Sequence, residues 1–173
     1  MKRRLTSFDG TESFDAECVR PDRYRQLFAE LSSPRLLIPR GAGLTYCAAS
    51  AGENVVSVDA RSFNRILEFD PTTGYVTVEA GITLGDLYRF TVPRDWILPV
   101  MAGSPSITIG GCIAPNIHGK NQFKDATFAW SRMNSDCFTR TMGRLFVHRV
   151  RGRTSLISPS EDTVLRDSSC RHG

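Results

Sequence analysis

No pair among the five cysteines, Cys18, Cys47, Cys112, Cys137 and Cys170, has the Cys-x-x-Cys spacing of a zinc or dithiol redox site. Their odd number and wide scatter fit free thiols in a reducing compartment better than a disulfide framework. No metal-ligating set is expected. No stretch approaches the roughly 20 apolar residues of a membrane-spanning helix. The first four residues are basic, but Ser7-Phe8-Asp9-Gly10 follows where a secretory signal needs an apolar run, so the expected location is cytoplasmic. Lysine is missing from residues 131–173, which hold 8 arginines against 4 acidic residues, whereas residues 1–130 carry 14 basic and 14 acidic side chains. The net charge of +4 therefore belongs to the last quarter of the chain. Those arginines show neither aromatic interleaving nor one helix face, so a nucleic-acid partner is not expected.

What the chain does have is ordinary globular composition, 40% hydrophobic and 23% charged over 173 residues, enough for one domain with a core. Residues 20–32 predict a short amphipathic helix with Pro21 at its first position and Tyr24, Leu27, Phe28 and Leu31 on one face. Leu36-Leu37-Ile38-Pro39, Val55-Val56-Ser57-Val58-Asp59 and Ile66-Leu67-Glu68-Phe69-Asp70 read as strands. Pro71-Thr72-Thr73-Gly74 is turn chemistry, and Tyr75-Val76-Thr77-Val78-Glu79-Ala80 alternates with period two, completing a hairpin. Residues 83–90 predict a helix capped by Thr83 with an acid three residues on, and residues 96–100 a strand. Residues 103–119 are glycine-dense and predict a loop. Phe63, Phe69, Trp96 and Phe123 are expected in the core. Short mixed strands and helices without a repeat imply an α+β fold. Beyond Trp130 no period is sustained apart from the apolar run Leu145-Phe146-Val147.

Two glycine-bearing segments carry the functional signal. In Pro39-Arg40-Gly41-Ala42-Gly43-Leu44-Thr45-Tyr46, residues without Cβ let successive backbone amides approach anionic oxygens as a nest, and Arg40 and Thr45 could add charge and a hydroxyl. The loop lacks the third glycine and opening helix of a Rossmann fingerprint, which disfavours nicotinamide binding of that style. The second segment places Gly103, Gly110, Gly111 and Gly119 around His118, as expected of backbone wrapped closely about a flat or phosphorylated group.

In order along the chain, Ile38-Pro39-Arg40-Gly41-Ala42-Gly43-Leu44-Thr45-Tyr46, Val78-Glu79-Ala80-Gly81-Ile82-Thr83-Leu84-Gly85-Asp86-Leu87, Thr108-Ile109-Gly110-Gly111-Cys112-Ile113-Ala114 and Ile117-His118-Gly119-Lys120-Asn121 resemble the vanillyl-alcohol-oxidase-type (PCMH-type) FAD-binding domain. The His-Gly-Lys-Asn word is most similar to the branch of decaprenylphosphoryl-ribose oxidases. The resemblance covers residues 6–130. It implies a PCMH-type domain of two small α/β subdomains, and a parent enzyme that oxidises a hydroxyl of a sugar-like or prenyl-phosphosugar substrate, small or lipid-linked. It also implies that Arg40, Gly41, Ala42, Gly43, Leu44, Thr45 and Tyr46 hold the FAD pyrophosphate. Gly103, Thr108, Ile109, Gly110 and Gly111 match a second cofactor segment, and Pro115, Asn116, Ile117 and His118 the stretch beside the flavin ring. Lys120 matches the lysine on the substrate side, so Lys120 and His118 are the candidate catalytic pair. The bland alternatives are a solvated lysine and an ordinary loop histidine. The first loop has no histidine through which some members attach FAD, so the cofactor is expected to be non-covalent. Cys47 stands where related chains often carry glycine.

Family members are several hundred residues long, so the chain is expected to be an incomplete N-terminal portion, inactive alone, with a second chain as one way to supply the missing substrate domain. A non-catalytic FAD-binding or partner-binding scaffold is the alternative. Residues 131–173 are expected to be a divergent or frameshifted, poorly ordered tail. Back-translating residues 133–143 and reading one nucleotide earlier permits Glu-Phe-Arg-Leu-Leu-His-Pro-Asp-Asp-Gly, an amphipathic strand and turn, which places the expected frameshift near Trp130. The nucleotide sequence checks this: an alternative frame closed by early stop codons excludes it.

Overall fold

The computed structural model describes residues 1–120, Thr127, Phe128, and the backbone of residues 142–146 and 148–149. Four strands form the first sheet: β1 (Lys2–Thr6), β2 (Ser13–Val19), β3 (Leu37–Arg40) and β4 (Val56–Asp59), in the order β1-β2-β4-β3. β1 and β2 are antiparallel, while β4 runs parallel to both of its neighbours. Helix α1 (Tyr24–Leu31) connects β2 to β3 and covers the sheet. Its Leu27 packs with Val58 and Phe63 in a small core, flanked by Val19, Tyr24, Leu31 and Leu37.

The second unit is built on β5 (Ile66–Asp70) and β6 (Tyr75–Glu79), with β8 (Met142–Phe146) antiparallel on the other edge of β6. Asp70 sets the hairpin turn: its carboxylate accepts from Thr72 N at 2.8 Å and its carbonyl from Gly74 N at 2.9 Å. Helix α2 (Leu84–Thr91) buries Leu84, Leu87 and Thr91, the spacing of one helical face. Thr83 Oγ1 caps it by accepting from Asp86 N at 3.1 Å, and also donates to the Asp86 carboxylate at 2.6 Å. A turn over Val92–Arg94 leads to β7 (Trp96–Ile97), which pairs with β9 (His148–Arg149). Helix α3 (Ile109–Ile113) follows. The larger core joins Val76 and Val78 of β6, Leu84 and Leu87 of α2, Trp96, Leu98, Val100, and Ile109 and Cys112 of α3.

The α+β class and the order of elements from β3 to α2 match the sequence reading. Four places differ. Hairpin β1–β2 was not expected, because β1 opens on three consecutive charges, Lys2-Arg3-Arg4, and only Leu5, Ala16 and Cys18 of the two strands are buried. α1 begins at Tyr24, leaving Pro21 ahead of it, and Phe28 stays exposed. The strand over 96–100 is only two residues long, although Leu98 and Val100 remain buried. The loop expected over 103–119 contains α3, whose two glycines are poor helix formers held by tertiary bonds. Among the aromatics assigned to the core, Phe63 and Trp96 are buried and Phe69 packs against the larger core. Phe123 lies outside the described residues. So does the tail expected over 131–173, apart from β8 and β9.

Leu87 is fully buried in the larger core. Truncation loses its transfer free energy and leaves a cavity, so Leu87→Ala is expected to lower unfolding free energy by about 2–5 kcal/mol, measured by urea denaturation.

Candidate cofactor site

The first glycine loop leaves the end of β3, whose last residue, Arg40, does not point freely into solvent. Its guanidinium donates to Ser50 Oγ at 2.8 Å and folds over Gly43. Gly43 has φ of +74°, and a Cβ there would strike that guanidinium. Both effects demand glycine. The rest of the loop is fastened from the side. Thr45 O accepts from Phe8 N at 2.9 Å, and the exposed Tyr46 and Phe8 rings meet edge-on at 5.5 Å. Among the described residues, the half-buried amides of Ala42, Gly43 and Leu44 have no internal acceptor. Successive amides in this state form the kind of nest that accepts anionic oxygens. The residue of positive φ that follows is Ala48, at +42°, so the tight turn falls one position after Cys47.

The second segment is anchored by Thr108. Its hydroxyl caps α3, accepting from Gly111 N at 3.2 Å. The same hydroxyl faces Gly41 so closely that any side chain on Gly41 would collide with it. The two glycine segments therefore touch. On its other side α3 is tied to the connection after β6: Ile109 N donates to Ile82 O and Gly110 N to Ala80 O, both at 2.8 Å. Gly81, between those carbonyls, packs on the backbone of Ala60 and Phe63 with no room for a Cβ.

After α3 the chain turns through Pro115 and Asn116, the latter at φ of +49°. Ile117 N donates to Cys112 O at 3.0 Å, and Ile117 packs on the larger core. His118 bridges to Thr127 and Phe128 N donates to Ile117 O at 2.7 Å. His118, Gly119 and Lys120 then line a cleft of about 220 Å³ together with Met101 and Gly103. The His118 Nδ1 lies 3.3 Å from Gly119 O. With its proton on Nδ1 the ring donates there and leaves Nε2 free to accept.

The structure thus brings Gly103, His118 and Lys120 to one cleft, and joins Gly41 to Thr108. Residues 40–46 do not line the cleft itself. Met101, Ser50 and Glu79 were missed by the sequence reading. An apolar residue two before Gly103 was the only signal for Met101, and nothing local marks Ser50 as the partner of Arg40. Cys112 is buried in α3, and burial pushes its thiol up to about 12, so it stays protonated near neutrality.

Glu79, at the end of β6, has a fully buried side chain. Arg65 N donates to its Oε2 at 2.7 Å and the Arg65 guanidinium to Oε1 at 2.8 Å. The Tyr24 hydroxyl donates to Oε1 as well. Burial opposes the charge, but the hydrogen bonds from Arg65 and Tyr24 prevail and hold the carboxyl below its ordinary value.

Residues 29–132 match the family described as FAD binding domain. The chain belongs to that family. Over 94 residues it is 34% identical to a decaprenylphosphoryl-beta-D-ribose oxidase of Mycolicibacterium smegmatis, a match covering 54% of this chain and 20% of that protein. Over 92 residues it is 29% identical to a D-2-hydroxyglutarate dehydrogenase of Escherichia coli, covering 53% of this chain and 9% of the relative. The chain spans only a fifth or less of the length of these relatives. An alkyldihydroxyacetonephosphate synthase structure superposes with a TM-score of 0.62 at 17% identity, over 76% of this chain and 31% of its own. A cholesterol oxidase structure from Brevibacterium sterolicum superposes with a TM-score of 0.58 at 20% identity, over 69% and 24%. These likenesses establish the fold, that of a PCMH-type FAD-binding domain. Among the described residues no helix is long and apolar enough to cross a membrane.

A carboxyl held below its ordinary value contributes stability that is complete above the unfolded value, 4.5 for Glu79, and is lost as pH falls through the folded one. Thermal midpoints of the wild type are expected to drop as pH falls below about 4.5. Glu79→Gln, measured across the same series, is expected to have a lower midpoint at neutral pH and a shallower acid decline.

Proposed function

We propose that this chain is the FAD-binding portion of an oxidoreductase whose parent oxidises a hydroxyl on a sugar-like or prenyl-linked sugar substrate. The observation that carries this reading is the contact between Gly41 and Thr108, which sets an amide-lined loop against the capped start of α3. The residues fit the cofactor. The amides of Ala42, Gly43 and Leu44 would receive the pyrophosphate, with the Arg40 guanidinium adding positive charge beneath them. Gly41, Thr45 and Tyr46 complete that wall. Gly103, Thr108, Ile109, Gly110 and Gly111 supply the second wall, and Pro115, Asn116, Ile117 and His118 the edge along the ring. No histidine stands in the first loop, which supports non-covalent binding.

When bound, the flavin supplies the hydride acceptor. The chain's own residues do the rest. The Lys120 ammonium, exposed on the rim of the cleft, supplies positive charge and donors toward a substrate oxygen. His118 Nε2, when Nδ1 carries the proton, accepts the hydroxyl proton of the alcohol. Met101, half exposed, adds an apolar side to the cleft. The proposed FAD domain covers residues 6–130, with β1 and β8 extending its sheets beyond those bounds, and the cleft is open to solvent. Turnover by this chain alone is therefore expected to be negligible.

The first test is the absorbance spectrum of purified protein before and after acid precipitation. Flavin bands that pass into the supernatant support a non-covalent FAD module. Colourless protein that takes up no added FAD removes the reading, and flavin retained in the pellet overturns non-covalent attachment. Forcing a side chain into the left-handed region costs about 1–2 kcal/mol. Gly43→Ala is accordingly expected to weaken FAD binding about tenfold, measured by quenching of flavin fluorescence in a protein whose circular dichroism is unchanged.

A further inference from the structure

The two glycine segments belong to different units. Residues 40–46 hang from the first sheet, and α3 packs on the second. A single chain connection, residues 60–65, leads from β4 into β5. Two carboxylates fasten that connection. Asp59, at the end of β4, accepts from Arg61 N at 3.1 Å and from its guanidinium at 2.6 Å. Glu79, at the end of β6, takes the Arg65 amide and guanidinium. Tyr24 completes the second set from α1: its hydroxyl donates to Glu79, its ring lies 5.1 Å from Phe63, and the Arg65 guanidinium stands 5.8 Å from the ring centre. Glu79, the last residue of β6, is thus bonded at once to the helix of the first unit and to the connection that leads into β5.

Directly after Glu79 come the backbone groups that place α3. Gly81 N donates to Phe63 O at 2.8 Å, Ala80 O accepts from Gly110 N, and Ile82 O from Ile109 N. Residues 80–82 thus link Glu79 to Ile109 and Gly110, next to Thr108, whose hydroxyl faces Gly41. Neither Glu79 nor Arg65 lines the cleft, so their influence on a bound flavin is exerted through this backbone.

We propose that the Tyr24–Arg65–Glu79 cluster is a clasp that fixes the spacing between the two glycine segments, which makes Glu79 and Tyr24 positioning residues for the flavin cofactor. The proposal rests on the FAD-binding reading above. Its test uses the full chain and two measurements on Tyr24→Phe, which removes one hydroxyl and keeps the ring contacts. FAD titration is expected to show affinity reduced about tenfold, the worth of one hydrogen bond to a charged group. Amide hydrogen exchange without FAD is expected to be about tenfold faster at Gly81 and Gly110, while Phe69 and Val76 of the β5–β6 ladder exchange as in the wild type. Glu79→Gln, where it folds, is expected to move both readouts further in the same direction.

Unchanged FAD affinity in Tyr24→Phe overturns the proposal. So does exchange that rises equally at the junction and along the ladder, since that is loss of global stability only. Should the wild-type chain bind no FAD, the cofactor reading fails. The exchange comparison then decides the clasp by itself, selective acceleration supporting it and uniform acceleration overturning it.

Discussion

The fold depends on a place where no side chain fits. At Gly81 the backbone after β6 lies against the carbonyls of Ala60 and Phe63, close enough that a Cβ would collide with both. That approach lets the amide of Gly81 reach Phe63 O, and it brings the flanking carbonyls of Ala80 and Ile82 within reach of α3. A five-residue helix with two internal glycines has little stability of its own. Its position is set by two bonds from this junction, by the Thr108 cap and by Ile109 and Cys112 in the core. The start of α3, proposed to meet the cofactor, is therefore held in place from outside itself.

The same logic governs the first loop. Gly43 turns the chain with positive φ, and the space a Cβ would fill is taken by Arg40. Arg40 in turn is held by Ser50, ten residues along. An arginine beside a glycine loop suggests a phosphate ligand first, yet here its hydrogen bond also shapes the loop. Charge and geometry come from one side chain, whose guanidinium fills the space beside Gly43. Asp59 and Glu79 repeat the pairing at larger scale: each is buried, each is paired with a half-exposed or exposed arginine, and they fasten the connection whose Ala60 and Phe63 carbonyls Gly81 packs against.

What the sequence made legible follows from how local each cause is. β5, its turn and β6 are specified by period-two alternation and by Asp70 and Gly74, all within fifteen residues. The α2 cap is visible because Thr83 and Asp86 are three apart. The ordered glycine motifs disclosed the family. Hairpin β1–β2 was hidden because its exposed faces are charged and it offers no continuous apolar face. α3 was hidden because glycine argues against a helix, and its support comes from Ala80 and Ile82 about thirty residues earlier. The Tyr24–Glu79 bond spans 55 positions, and no pattern in a single sequence marks such a pair. His118 and Lys120 could be nominated by motif, but Met101 joins their cleft only through the fold.

A cradle of this construction puts unusual demands on few residues. Its essential terms are three empty Cβ positions, at Gly41, Gly43 and Gly81, a hydroxyl cap at Thr108 and a buried acid at Glu79. Elsewhere the core needs only apolar volume, which many sequences can supply. A sequence can therefore vary widely outside these few positions and still build the cradle. The rim follows the opposite rule. His118, in a bridge with Thr127, and Lys120 are both exposed, and on the proposed reading exchanging either would change the chemistry offered to a substrate while leaving the glycine junction untouched. On the proposed reading, cofactor binding and substrate chemistry fall to different physical causes, the first chiefly to positions without side chains and the second to side chains on the rim.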